Sequence, residues 1–157
     1  MPSPNHELDA PPWQRVESTL MATSRAIRDA YDTRFDELAL NLTQASLLVF
    51  VHESGPLRQT QLARRLGQGR AATGATVDLL ERRGLVERQP DPEDRRAWLV
   101  TITLAGQELV GPINEIDRVL REELRRDIPR SDRQRLAELL LRLQSNLARI
   151  LSDTEER

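Results

Sequence analysis

At 157 residues, with 38% hydrophobic content, the chain is long enough for one compact domain around a buried core. It has no cysteine, which excludes a disulfide framework, a thiolate metal site and thiol redox chemistry. A formal net charge of −2 excludes a surface coated in positive charge, and no segment approaches the roughly 20 apolar residues that span a bilayer.

Aromatic residues are scarce, so the core must rest on Leu, Val, Ile and Ala. Every basic residue is Arg. A GC-rich coding bias explains this, and so does a use of forked guanidinium groups on phosphate. Residues 1–11 are Pro-rich and polar, and a flexible tail is expected there. That stretch lacks an apolar signal core, so a cytoplasmic protein with no membrane contact is expected. Residues 12–157 read as a single domain.

An amphipathic helix is predicted from Trp13 to about Asp36, with Val16, Leu20, Ile27, Ala30 and Tyr31 at mostly helical spacing. Thr43 reads as the N-cap of a second helix, Gln44 to about Glu53, which Gly55-Pro56 ends. Leu47, Leu48, Phe50 and Val51 make that helix largely buried. Leu57 starts a short extended piece. A helix then runs from about Gln59 to Leu66 with Leu62, Ala63 and Leu66 inward. The turn Gly67-Gln68-Gly69 leads into another, Arg70 to Arg83, with Val77 and Leu80 inward, stopped by Gly84. Two strands, Leu85–Arg88 and Ala97–Thr103, flank the loop Asp91-Pro92-Glu93-Asp94-Arg95-Arg96. A long helix runs from Ala105 to about Asp127, with Gly111 and Pro112 inside it as a potential kink, and Pro129 stops it. Ser131 reads as the cap of the last helix.

Helix, tight turn, helix and charged hairpin form the layout of a winged helix-turn-helix, which lays one helix in the major groove of double-stranded DNA and a hairpin beside it. The fold class expected is mainly α with a small β-hairpin wing. Residues 43–104 form the DNA-binding lobe, and 12–42 with 105–157 supply dimerisation helices. Charge supports a docking face only locally: residues 56–103 hold nine Arg against six Asp or Glu, a balance of +3, which leaves −5 for the rest. Arg95 and Arg96 at the hairpin tip suit a narrow minor groove, with Asp94 holding a guanidinium extended. Asp91-Pro92 supplies the turn. A solvated loop is the plainer alternative. On the second motif helix the candidates for DNA contact are Gln68, Arg70, Ala71, Thr73, Gly74 and Ala75, with Thr76 one turn on. Core packing is as good a reading for Thr73 and Thr76. Arg58, just before the first motif helix, can reach a phosphate; Arg64 and Arg65 can do so or form a solvated face.

The last helix carries Leu136, Leu139, Leu140, Leu143, Leu147, Ile150 and Leu151 as one apolar stripe, which must be covered. Packing onto its own domain is one reading. A second copy of the chain is favoured, with Ile113, Ile116, Leu120, Leu136, Leu140, Leu143, Leu147 and Ile150 closing a homodimer. Catalysis finds no support. The two histidines, His6 and His52, lack metal-ligand spacing, and no nucleophile, phosphate-loop or paired-carboxylate pattern appears. No catalytic residue, metal or cofactor is expected.

The segments GPLRQTQLARRLG and LLERRGLVERQPDPEDRRAWLVTITLAGQEL make the chain resemble the MarR family (multiple antibiotic resistance regulators) of transcriptional regulators over about Arg25 to Val110. Asp91, Asp94 and Arg96 fall on the family's wing pattern, and Leu104-Ala105-Gly106 on the start of the following helix. The resemblance implies a triangular homodimer joined through its terminal helices. It also implies repression at a short pseudo-palindromic operator, and a small-molecule effector pocket between the dimerisation helices and the DNA-binding lobe. Trp13, Tyr31, Arg34 and Phe35 are the candidate effector contacts, with core or interface packing as the other reading. Two departures stand out. Members usually carry Ser, Thr and Arg along the groove-facing side of the second motif helix, where this chain has Ala71, Ala72, Gly74 and Ala75. They also often place Ser or Thr where this chain has Arg58. The bare helix face keeps open an alternative: a helical dimerisation or adaptor protein on a winged-helix scaffold that reads bases weakly or not at all.

Overall fold

The computed structural model describes residues 10–11 and 14–155, so Trp13 and most of the tail lie outside the described residues. Six α-helices and three strands follow in the order α1 (Val16–Phe35), α2 (Leu42–Ser54), β1 (Leu57–Arg58), α3 (Gln59–Leu66), α4 (Arg70–Arg82), β2 (Val86–Pro90), β3 (Trp98–Ile102), α5 (Leu104–Leu124) and α6 (Arg130–Glu155). This is the mainly helical winged-helix architecture expected from the pattern. The chain was read as one domain over 12–157; its backbone contacts divide it after Arg118, within α5, into two compact units.

In the first unit the core is built mainly from α2, α3, α4 and the sheet, with Phe35 of α1 and Ile113 of α5 packed into it. Leu47, Leu48, Leu62, Val77 and Leu80 have no exposed surface at all. Burying side chains of this size stabilises the fold by about 1.5–3 kcal/mol each. The antiparallel sheet has the order β1-β3-β2, with β3 in the middle. Leu57 pairs with Val100, and Val86 to Pro90 pair with Ile102 to Trp98. The short extended piece at Leu57 is therefore a sheet strand, and it ties the start of α3 to the hairpin.

Several boundaries differ from the expected ones, each for a local reason. Asn41, not Thr43, caps α2. Its side chain accepts the Gln44 backbone N–H at 2.9 Å, while the Gln44 side chain accepts the Asn41 N–H at 3.1 Å, a reciprocal capping box. Helix α5 ends at Leu124 rather than Asp127, because Asp127 takes a left-handed backbone, φ 59°. Asp tolerates that conformation better than most residues. Helix α6 starts at Arg130, and the Pro129 carbonyl accepts the Arg133 N–H, so Ser131 lies inside the first turn instead of capping it. Pro112 does not divide α5, which is continuous through it.

The junction between α3 and α4 turns on Gly67. Its φ of 62° is left-handed, and the Gln68 N–H closes back onto the Ala63 carbonyl at 3.0 Å. The start of α5 is tighter still. The Thr103 hydroxyl donates to the Gly84 carbonyl at 2.6 Å and accepts the Gly106 N–H at 3.2 Å. Gly106 lies so close to β2 that an added Cβ would stand 2.2 Å from the Leu85 carbonyl oxygen.

In the second unit, α6 is amphipathic, and its apolar stripe is largely open. Leu136, Leu139, Leu147, Ile150 and Leu151 are all exposed, while Leu140 and Leu143 are half-buried.

Candidate nucleic-acid interface

Two elements of the first unit present the residues selected for DNA contact. The first is α4. Arg70, Ala71, Ala72 and Ala75 are exposed along it, and Arg70 stands at its N-terminus, where Gly69 is the cap residue. Thr73 leaves the candidate set: it has no exposed surface, and its hydroxyl donates to the Gly69 carbonyl at 3.0 Å. A polar side chain in the core needs such a partner, and the helix's own backbone supplies it. Thr76 makes the same bond to the Ala72 carbonyl at 3.1 Å and is half-buried. Gly74 also turns inward. A Cβ there would meet the end of the Gln59 side chain of α3 at 2.9 Å, so Gly74 faces α3, and a larger residue there would need Gln59 to turn aside. Gln68 is half-buried and donates to the Thr43 hydroxyl at 3.2 Å, which fastens the turn to the start of α2.

The second element is the wing loop between β2 and β3. Arg95 and Arg96 are exposed at its tip. Asp94 plays a different part from the one expected: its carboxylate accepts the Arg96 backbone N–H at 3.0 Å, which shapes the turn and does not hold the guanidinium. Asp91 is the anchor of the loop. It is buried, accepts the Glu93 N–H at 2.9 Å, and receives the Arg58 guanidinium from Nε at 2.6 Å and from Nη2 at 2.5 Å. The Glu93 N–H holds the Asp91 carboxyl below its ordinary range. Burial pushes the other way, and Arg58 adds to the lowering. Arg58 was read as a phosphate contact, yet its guanidinium is engaged within the protein.

A further tie was absent from the sequence reading. Arg88 on β2 donates to Asp78 at 2.5 Å and to Glu81, both on α4, and the Glu81 carboxylate also accepts the Arg88 backbone N–H. Hydrogen bonds to Asp78 and Glu81 outweigh the desolvation of the half-buried Arg88 guanidinium and raise its pKa. One strand of the wing is thus fixed to the helix beside it. The pairing partners lie seven and ten residues away, beyond any helical spacing rule.

A cavity of about 310 Å³ lies between α1, α2 and the first half of α5. Tyr31 and Phe35 line it, stacked with ring centroids 5.7 Å apart, together with Phe50, Val49, Ile113 and Asp117. The Tyr31 hydroxyl donates to the Asp117 carboxylate at 2.8 Å. Arg34 is exposed and is not among the lining residues. Of the residues expected at a dimer interface, Ile113 and Leu120 are buried within the chain, and Ile116 packs against the core. His52 is exposed near the end of α2, and among the described residues no cluster of metal-ligating side chains occurs. No helix of the described residues is long and apolar enough to cross a membrane.

The MarR family model matches residues 40–97, the segment that holds α2, the helix-turn-helix and the wing loop. Among solved structures, the chain resembles the transcriptional regulator BldR from Sulfolobus solfataricus at 29% identity and a TM-score of 0.73, over 95% of this chain and 99% of that one. The S. aureus MepR–DNA complex matches at 19% identity and a TM-score of 0.76, over 84% of this chain and 96% of that one. Bordetella bronchiseptica BpsR, whose DNA binding is regulated by 6-hydroxynicotinic acid, matches at 19% identity and a TM-score of 0.78, over 84% and 94%. With the helix-turn-helix and the wing loop both inside residues 40–97, the chain is similar over that segment to the MarR family of winged-helix transcriptional regulators.

Proposed function

We propose that the chain acts in the cytoplasm as a homodimeric repressor of a short pseudo-palindromic operator, released by a small-molecule effector. The observation that carries this reading is the joint presentation of two exposed surfaces on one lobe, the N-terminal face of α4 and the Arg95-Arg96 wing tip. Arg70 reaches guanine edges or phosphate at the start of α4, Ala71 and Ala75 lie against the groove wall, and Arg95 and Arg96 enter the minor groove. The cavity lined by Tyr31, Phe35 and Phe50 takes the effector. The DNA complex of MepR and the ligand control of BpsR support both halves of the reading by likeness of fold.

Two measurements test it. Arg96→Ala should weaken operator binding by about 1–3 kcal/mol while leaving the fold and the dimer intact. Unchanged affinity in a mobility-shift titration would remove Arg96 from the interface. Because few side chains on α4 can hydrogen-bond base edges, phosphate contacts should carry most of the affinity. Operator binding should therefore fall steeply with salt, and the preference over scrambled DNA should lie toward the low end of the ~10³–10⁷ range. Half-sites should be centred roughly 10 base pairs apart. A high preference that salt barely changes would mean that α4 reads bases far better than its small side chains allow. Failure to retain any DNA flanking its own gene would favour the adaptor reading instead.

A further inference from the structure

We infer that Arg58 is a positioning residue, a strut that fixes the pose of the wing, and not a contact to DNA. The inference rests on the DNA-binding reading for its affinity arm alone.

The geometry is specific. Arg58 sits on β1, the edge strand beside β3, and Asp91 sits just past the end of β2, at the root of the wing loop. Both guanidinium contacts of Arg58 converge on the same oxygen of Asp91, Oδ2. The other oxygen, Oδ1, takes the Glu93 N–H. Asp91 also closes the loop through its backbone: its N–H donates to the Ala97 carbonyl, and its carbonyl accepts the Asp94 N–H. The loop is thus folded around one carboxylate, and Arg58 is the link between that carboxylate and the opposite edge of the sheet. Asp91 is 5% exposed. A buried carboxylate stripped of its partner is costly, so the loop must rearrange if Arg58 is lost. The exposed Arg95 and Arg96 ride on this loop, and a displacement there moves both. Charge-assisted contacts of this kind hold the Nε/Nη2 edge of the guanidinium against the loop.

The two roles for Arg58 predict different results. Operator affinity, its salt dependence and backbone amide exchange of the free protein should be measured for wild type, Arg58→Ala, Asp91→Asn and the double variant. A strut predicts that Arg58→Ala weakens operator binding about tenfold with an unchanged slope of log affinity against log salt, because no phosphate contact is lost. It predicts that Asp91→Asn also weakens binding, although removing a negative charge near DNA would by itself strengthen it. The double variant should be no worse than either single one. Without any DNA, the Glu93 and Asp94 amides should exchange about tenfold faster in each variant, while core amides such as those of Leu62 and Leu80 keep their protection. A salt slope reduced by about one in Arg58→Ala, tighter binding by Asp91→Asn, additive losses, or unchanged exchange in the loop would each overturn the inference. Wild-type protein that binds no operator would remove the DNA reading, and the exchange measurement would still decide the strut.

Discussion

Replacing Gly106 with Ala should destabilise the fold by about 3 kcal/mol, the upper end of what overpacking usually costs. The added Cβ would stand 2.2 Å from the Leu85 carbonyl oxygen and 2.7 Å from the Ile102 side chain. The first neighbour is backbone and is already engaged, since the Leu85 carbonyl accepts the Thr103 N–H at 3.1 Å. Relief therefore requires α5 to lift away from the sheet and to weaken the Thr103 bonds that seat it. At roughly 2–4 °C per kcal/mol for a chain of this size, the melting temperature should fall by about 10 °C. Gly111 in the same helix is the control. Nothing lies within 4 Å of its Cβ position, so Gly111→Ala should be neutral or stabilise by up to about 1 kcal/mol through helix propensity. Equal melting temperatures for Gly106→Ala and wild type would show that α5 is not held in the way described.

Paired substitutions of Leu136 and Leu147 by Asp should convert a dimer of about twice the 17.9 kDa chain mass into monomers. Both residues are 53% exposed in the single chain, so their loss costs its own fold little. An exposed apolar row from Leu136 to Leu151 is stable in water only when something covers it. A dimer places two helix-turn-helix lobes on one operator, and linking two such sites strengthens binding by 10²–10⁴-fold over one lobe alone. The charged variant should lose an effect on that order. Light scattering and DNA titration of the same samples check both halves. A variant that stays dimeric would move the interface elsewhere.

Legibility of this fold in the sequence followed the range of the interactions involved. Helix α3 was located to the residue because Leu62, Ala63 and Leu66 keep helical spacing and Gly67 ends the run. The wing loop was found because turn residues bracket it. The Asn41 cap was legible too, as Asn-x-x-Gln ahead of an apolar run, but Thr43 competed for the same role. Thr73 could not be settled locally, since a threonine can satisfy its hydroxyl on its own helix and then be buried. The partners of Arg58 and Arg88 were out of reach. Arg58 and Asp91 are 33 residues apart and meet only because β1 and β2 flank β3. Gly74 stood among the candidates for DNA contact, and its nearest neighbour, Gln59, belongs to another helix and was not visible from local spacing.

The carboxylates that hold α4 to the wing, Asp78 and Glu81, lie one to three turns beyond Ala71 and Ala75 along the helix. The residues that anchor the helix are thus not the ones presented at positions 71 and 75. Side chains at 71 and 75 can be exchanged without disturbing a single described hydrogen bond or ion pair of their own. A library randomised at those two positions, on an otherwise unchanged chain, is therefore a direct route to regulators with new operator preferences.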